Sequence, residues 1–318
     1  MVRKIHLTAS QRAYRCTTES IHIKVERAVQ VPGEMSYKLT VSGLRGGHSG
    51  ECIGMERGNA VKLAARLLHE LDRKYGIRLT SIIGGEKDNA IPRETEAVFV
   101  SAAPEKNIKE SVATLDILFQ KEFAAADSGL RIGLTCFTAP ESGKMCPLTQ
   151  DSSRSVIRMM YLLPTGARRR SVQIEGLIEV SENMASVRTN AEFIELHYSL
   201  RSAIDSCLTQ MEEELRLTAE IFDAEFSTSS RYPAWPYNPK SFMRDKLAEA
   251  FREKTGKELI LKAVHGGLEC GVFAAIDEKM DIVTFGPRGI DAHTPNERLD
   301  LKSFDDCFEI FRCFLEKL

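Results

Sequence analysis

His48 stands in Gly46-Gly47-His48-Ser49-Gly50, between glycines that let the backbone come close to a ligand. An imidazole so placed could polarise a carbonyl or stabilise an oxyanion; the same five residues could equally be a surface turn. Ser49 is no esterase nucleophile, because GHSGE does not fit G-x-S-x-G. Asn89, in Asp88-Asn89-Ala90-Ile91-Pro92-Arg93-Glu94, carries an amide that could meet a substrate carbonyl, although Asn is also a frequent turn former. Arg201 closes the run HYSLRS, where a guanidinium could fork onto a carboxylate or remain a solvated surface charge.

A second group lies near the C-terminus, in HGGLECG, GPRG and DAHTPNE between His265 and Glu297. Both His265 and His293 fall in loops after strand-like runs, where α/β sites collect their ligands. Gly267 and Gly271 suit backbone N–H contacts to a substrate carboxylate. Glu269 could bind a metal, orient a neighbour or pair with a cation. No Lys-Ser/Thr follows these glycines, so a P-loop is excluded. Catalytic zinc takes about three protein ligands and keeps one position open, and a two-metal site needs more. One histidine here cannot hold a catalytic ion, so further ligands must come from elsewhere.

The elements that must position these residues come from an ordinary globular composition. Of 318 residues, 43% are hydrophobic and 28% charged, which is enough apolar material for one large or two smaller cores. A net charge of -2 makes no electrostatic case for nucleic acid or an acidic membrane surface. No apolar run approaches the roughly 18 residues that span a bilayer, and the N-terminus lacks the apolar core of a secretory signal. The 8 cysteines form no C-x-x-C pair, which points to reduced thiols and a cytoplasmic protein.

Alternation at Tyr37, Leu39 and Val41 predicts a strand, and Ala60, Leu63, Ala64, Leu67, Leu68 and Leu71 predict a helix. Further strands are expected at 21–29, 77–83, 96–102, 131–137, 176–188, 192–200 and 224–230. Helices are expected at 105–125, from Asp151 or Ser152 to Leu163, and at 204–222. Three prolines and the single Trp in RYPAWPYNP (231–239) mark a boundary. Beyond it the pattern is helix 241–254, strand 259–263, Gly-rich loop, strand 281–285 and helix 303–317. In the last helix Phe304, Phe308, Phe311 and Leu315 form a stripe expected to pack, with Ser303 as N-cap. The alternation suggests a parallel α/β layer, of which only two strands are clear.

In order, GLRGGHSG, RGNA, DNAIPRE, RYPAW, HGGLECG, FGP and HTPNE resemble the aminoacyl-histidine dipeptidases, Xaa-His dipeptidases of the clan of carnosinases and succinyl-diaminopimelate desuccinylase. The resemblance implies an α/β domain holding two zinc ions, interrupted by an α+β lid that also serves for dimerisation. It implies 1–35 as a remnant of the catalytic domain, 36–232 as the lid, and 233–318 as the C-terminal part of the catalytic domain. His48 would stabilise the oxyanion, Asn89 and Arg201 would touch substrate, and Gly267, Glu269 and Gly271 would line it. His293 would be the terminal metal-binding histidine, with Asn296 where the motif usually has Asp. The family's other ligands precede the lid as H-x-D, a bridging Asp, a Glu-Glu pair and a further Asp. Before residue 36 this chain has only His6, His22, Glu19, Glu26 and Glu34, in none of those motifs. The expectation is therefore a member lacking its N-terminal half-domain. Either it cleaves Xaa-His dipeptides through a zinc-activated water, or it is a non-catalytic lid and dimerisation fragment that binds peptide weakly.

Overall fold

The computed structural model describes residues 8–10, 14–137, 145–172, 176–202, 204–233, 235, 238, 240–262, 269–277, 279–290 and 297–318. Its strands are β1 Thr8–Ser10, β2 Arg15–Lys24, β3 Met35–Ser42, β4 Gly47–His48, β5 Arg78–Gly84, β6 Ala90–Ile91, β7 Thr95–Ser101 and β8 Arg131–Phe137. They continue as β9 Gly166–Arg170, β10 Ile178–Thr189, β11 Phe193–Ser202, β12 Ala224–Tyr232, β13 Ile260–Lys262, β14 Thr284–Phe285, β15 Gly289–Ile290 and β16 Arg298–Leu299. The helices are α1 Ala60–Tyr75, α2 Glu105–Glu122, α3 Gln150–Leu162, α4 Asp205–Ile221, α5 Phe242–Thr255, α6 Glu269–Ile276 and α7 Leu301–Leu315. The chain forms two compact units, Thr17–Arg231 and Met1–Cys16 with Tyr232–Leu318, and the whole is mixed α/β.

The larger unit is a nine-stranded sheet in the order β12-β2-β11-β10-β5-β7-β3-β8, with β9 added to β10. Burial alternates along β3: Tyr37, Leu39 and Val41 enter the core while Lys38 and Thr40 stay partly exposed. Helix α1 starts where the Asn59 side chain accepts from the Lys62 N–H. It stops at Gly76, whose left-handed backbone donates its N–H to Asp72 O. Its apolar stripe joins one core with residues of α2, α3, α4 and the sheet. Thr149 caps α3, ahead of the expected Asp151 or Ser152.

The unit's front edge differs from the expected domain start at 36. Strand β2 lies between β12 and β11 with Ile21 and Ile23 in the core, so 17–35 belong to this unit. At the rear the unit ends at Arg231, and Tyr232 opens the second segment of the smaller unit. Elements unseen in the sequence include β9, whose arginines mask any apolar alternation, and β4 and β6, which are too short for periodicity.

In the smaller unit the expected parallel layer is a mixed three-stranded sheet, β13-β1-β14. β1 runs parallel to β13 and antiparallel to β14. Helices α5 and α7 pack through Leu247, Ala250, Phe251, Ile310, Cys313 and Phe314. The expected packing stripe of α7 is therefore corrected: Phe304, Phe308, Phe311 and Leu315 are 44–59% exposed. Of this stripe, Phe311 meets the Phe285 ring at 6.2 Å between centroids, while the buried contacts of α7 run through the neighbouring helix face. Asp300, not Ser303, caps α7, its Oδ1 accepting from the Lys302 and Ser303 N–H groups. Among the described residues no helix is long and apolar enough to cross a membrane.

Candidate functional site

His48 sits on a two-residue ladder in which Gly47 pairs with Ile91 and His48 with Ala90. The next N–H, of Ser49, donates to Asn89 O at 2.8 Å. From β11, Arg201 donates through Nη2 to Ser49 Oγ at 3.3 Å. Three residues far apart in the chain, His48, Asn89 and Arg201, thus meet around Ser49. Arg201 is 6% exposed, which overturns the alternative of a solvated surface charge.

The His48 ring is oriented by its own turn. Its Nδ1 accepts from the N–H groups of Gly50 and Glu51, at 3.2 and 3.3 Å. With Nδ1 accepting, the neutral imidazole carries its proton on Nε2, so that nitrogen is a donor. A donor held in place before charge develops is what oxyanion stabilisation requires.

The glycines are a steric necessity. Gly46 has φ +59°, and a Cβ there would lie 2.3 Å from the Arg93 side chain and 2.8 Å from Ile91 O. At Gly47, φ is +129° and a Cβ would come within 2.7 Å of Arg57 Nη1 and Cys52 Sγ. Buried Asp127 ties the turn to α1: Oδ1 accepts from the Arg45 N–H at 2.7 Å and Oδ2 from the Gly58 N–H at 2.6 Å. The loop carrying Ala90 and Ile91 also walls a cleft of about 700 Å³, lined among others by Thr40, Ser42, Gly85, Arg93, Glu94 and Arg188.

On β10, buried Glu182 receives the Arg168 guanidinium, which also reaches Glu214. Burial nevertheless pushes the Glu182 carboxyl up to about 7, against the opposing pull of Arg168 and Lys62. The Lys62 ammonium is lowered to about 8, again chiefly by burial. It donates to the Met160, Tyr161 and Leu163 carbonyls that end α3.

The expected C-terminal site residues stand differently. Glu269 is exposed and opens α6, and Gly271 is buried within that helix. The second half of GGLECG is thus helical where a Gly-rich loop was expected, because the apolar run CGVFAAI outweighs one glycine. Gly267 and His293, with His265 and Asn296, lie outside the described residues. Among the described residues no group of three or more His, Cys, Asp or Glu is placed to hold a metal ion. Of the residues singled out ahead of 36, His6 lies outside the described residues, while His22 and Glu34 serve the fold. His22 Nε2 lies 2.8 Å from Glu195 Oε1, and Glu34 takes Arg78 in a two-point ion pair that holds its carboxyl below the usual range.

Sequence reasoning missed Asn183 and Asp127. A buried Asn inside a strand run, where Asn is depleted, was the available signal for the first. Asp127 gave none, since an Asp before Ser-Gly reads as a turn.

The sequence model of peptidase family M20/M25/M40 matches residues 17–317. Cytosol non-specific dipeptidase of Escherichia coli (strain K12) is 30% identical over 287 residues, 90% of this chain and 58% of that protein. Succinyl-diaminopimelate desuccinylase of Nitrosomonas eutropha is 33% identical over 122 residues, 38% of this chain and 31% of that protein. Among solved structures, aminoacylhistidine dipeptidase from Vibrio alginolyticus matches with a TM-score of 0.81 at 26% identity. That match covers 99% of this chain and 64% of the Vibrio chain. The chain thus spans about three fifths of the length of the Escherichia coli and Vibrio dipeptidases.

Proposed function

The chain belongs to peptidase family M20/M25/M40, and from that premise we propose that it acts on Xaa-His dipeptides, with Thr17–Arg231 as the lid domain. The observation that carries this reading is the meeting of His48, Asn89 and Arg201 around Ser49. Nε2–H of His48 donates to the oxyanion that forms as the scissile carbonyl becomes tetrahedral. Arg201 pairs with the substrate's terminal carboxylate, a contact strengthened by the guanidinium's burial. The Asn89 amide meets a peptide carbonyl. The lid also serves for dimerisation, and the protein is cytoplasmic.

The motif resemblance implies two zinc ions as cofactor, with His293 as one ligand and Gly267, Glu269 and Gly271 along the substrate. The described residues by themselves do not fit such a pair, since none of their His, Cys, Asp and Glu form a ligand group. The same observation favours a second reading, in which the chain is a lid and dimerisation module that binds peptide without cleaving it.

Zinc content and turnover separate the two. About two tightly bound ions per chain, with hydrolysis of a dipeptide such as carnosine that a chelator abolishes, would sink the non-catalytic reading. Saturable dipeptide binding without tight zinc or hydrolysis would sink the hydrolytic one.

A further inference from the structure

The ladder that carries His48 is two residues long on each strand, far short of what an isolated hairpin needs to persist in water. Its position must be imposed from outside. One imposing contact comes from the interior of β10, where Asn183, 1% exposed, donates through Nδ2 to Ala90 O at 2.8 Å. Ala90 is the residue paired with His48, and its neighbour Asn89 receives the Ser49 N–H.

Asn183 is itself held. Asn59 Nδ2 donates to Met184 O at 2.9 Å and reaches Asn183 Oδ1 at 3.4 Å, while Asn59 Oδ1 caps α1. With its oxygen turned to Asn59, the Asn183 amide must present its NH₂ to Ala90, so the amide's two ends are not interchangeable. The register of β10 against β11 breaks between Met184 and Ser186, and such bulges re-aim side chains beside functional sites. Gly85 passes so closely over this irregularity that a Cβ there would lie 2.0 Å from Ala185 O.

We propose that Asn183 is a positioning residue, which with Asn59 fixes the register and height of the His48–Ser49 segment against Asn89 and so aims the His48 Nε2–H and the Arg201–Ser49 contact. The proposal rests on the reading of His48 as a donor to substrate. It extends that reading from residues that touch the ligand to a buried pair that never does.

Hydrogen exchange on the full chain tests it without requiring turnover. Asn183→Asp places a carboxylate oxygen against Ala90 O in an unchanged shape. Asn59→Ser keeps a capping hydroxyl for α1 but deletes the donor to Asn183. In both variants the amides of 46–52 and 86–92 should exchange at least about tenfold faster, as for loss of a buried hydrogen bond. Exchange in β3 and β7 should stay as in the parent, and Asn59→Ser guards against a poorly folding Asn183→Asp. Unchanged exchange at 46–52 in both variants would overturn the proposal, and so would equal acceleration in β3 and β7, which marks Asn183 as a general stability residue. The hydrolytic reading stands or fails separately, on zinc content and dipeptide turnover.

Discussion

At the residue scale the site is organised by hydrogen-bond polarity. Two backbone N–H groups point at His48 Nδ1 and leave the ring's proton on Nε2. His48→Ala therefore removes a donor rather than a base. Where dipeptide turnover is measured, kcat should fall about a hundredfold or more, as for loss of an oxyanion donor, with KM much less affected. An unchanged kcat would remove His48 from the reaction. Glu182 gives a second residue-scale prediction. Its native carboxyl titrates near 7 against an ordinary 4.5, so between those values the native state holds a proton that the unfolded chain has released. Stability then falls as pH rises through that window, by up to the order of 3 kcal/mol from this group. Glu182→Gln should flatten that part of the profile, read from urea midpoints at pH 5 and pH 8; identical slopes would refute it. The absolute stability of the variant also reflects the lost Arg168 pair, so the slope is the informative quantity.

At the element scale, the site depends on short ladders and tight passages that no element holds alone. Gly85 has φ +72° and no room for a side-chain carbon beside Ala185 O. Gly85→Ala should cost about 2 kcal/mol or more, from left-handed strain plus displacement of the 86–91 loop, and should lower the thermal midpoint. A midpoint equal to the parent's would show the loop free to move aside. The longer elements were legible in advance because their signals are local. The α1 stripe is a complete helical repeat with an Asn start and a Gly stop, and β3 alternates cleanly. By contrast, β4, β6 and β9 are too short or too charged to carry a period, and α6 was hidden by the glycines around Glu269. The cap of α7 was misplaced because Asp300 and Ser303 are both good caps, and three-dimensional geometry chose the first.

At the scale of the whole molecule, the larger unit closes its own core while the smaller one leaves apolar surface in water. Phe304, Phe308, Phe311 and Leu315 line one face of α7 at 44–59% exposure, a stripe of the kind that drives association. The chain should therefore associate with rising concentration in light scattering. The double substitution Phe304→Glu with Phe308→Glu should reduce that association without unfolding α5 and α7, whose contact runs through Ile310, Cys313 and Phe314. A parent chain that stays monodisperse and monomeric would refute the prediction.

By itself the sequence determined the family, through an ordered series of motifs. It also determined most long elements and the individual candidates His48, Asn89 and Arg201. These follow from residue identity and from periods of two and 3.6, which act over a few neighbours. Only the tertiary structure decided that those three residues meet, that Arg201 is buried, that 17–35 join the larger sheet, and that Asn183 stands behind the His48 ladder. Strand order, register and bulges are set by which surfaces find partners across the whole chain. That competition is global, so no window of sequence contains its outcome.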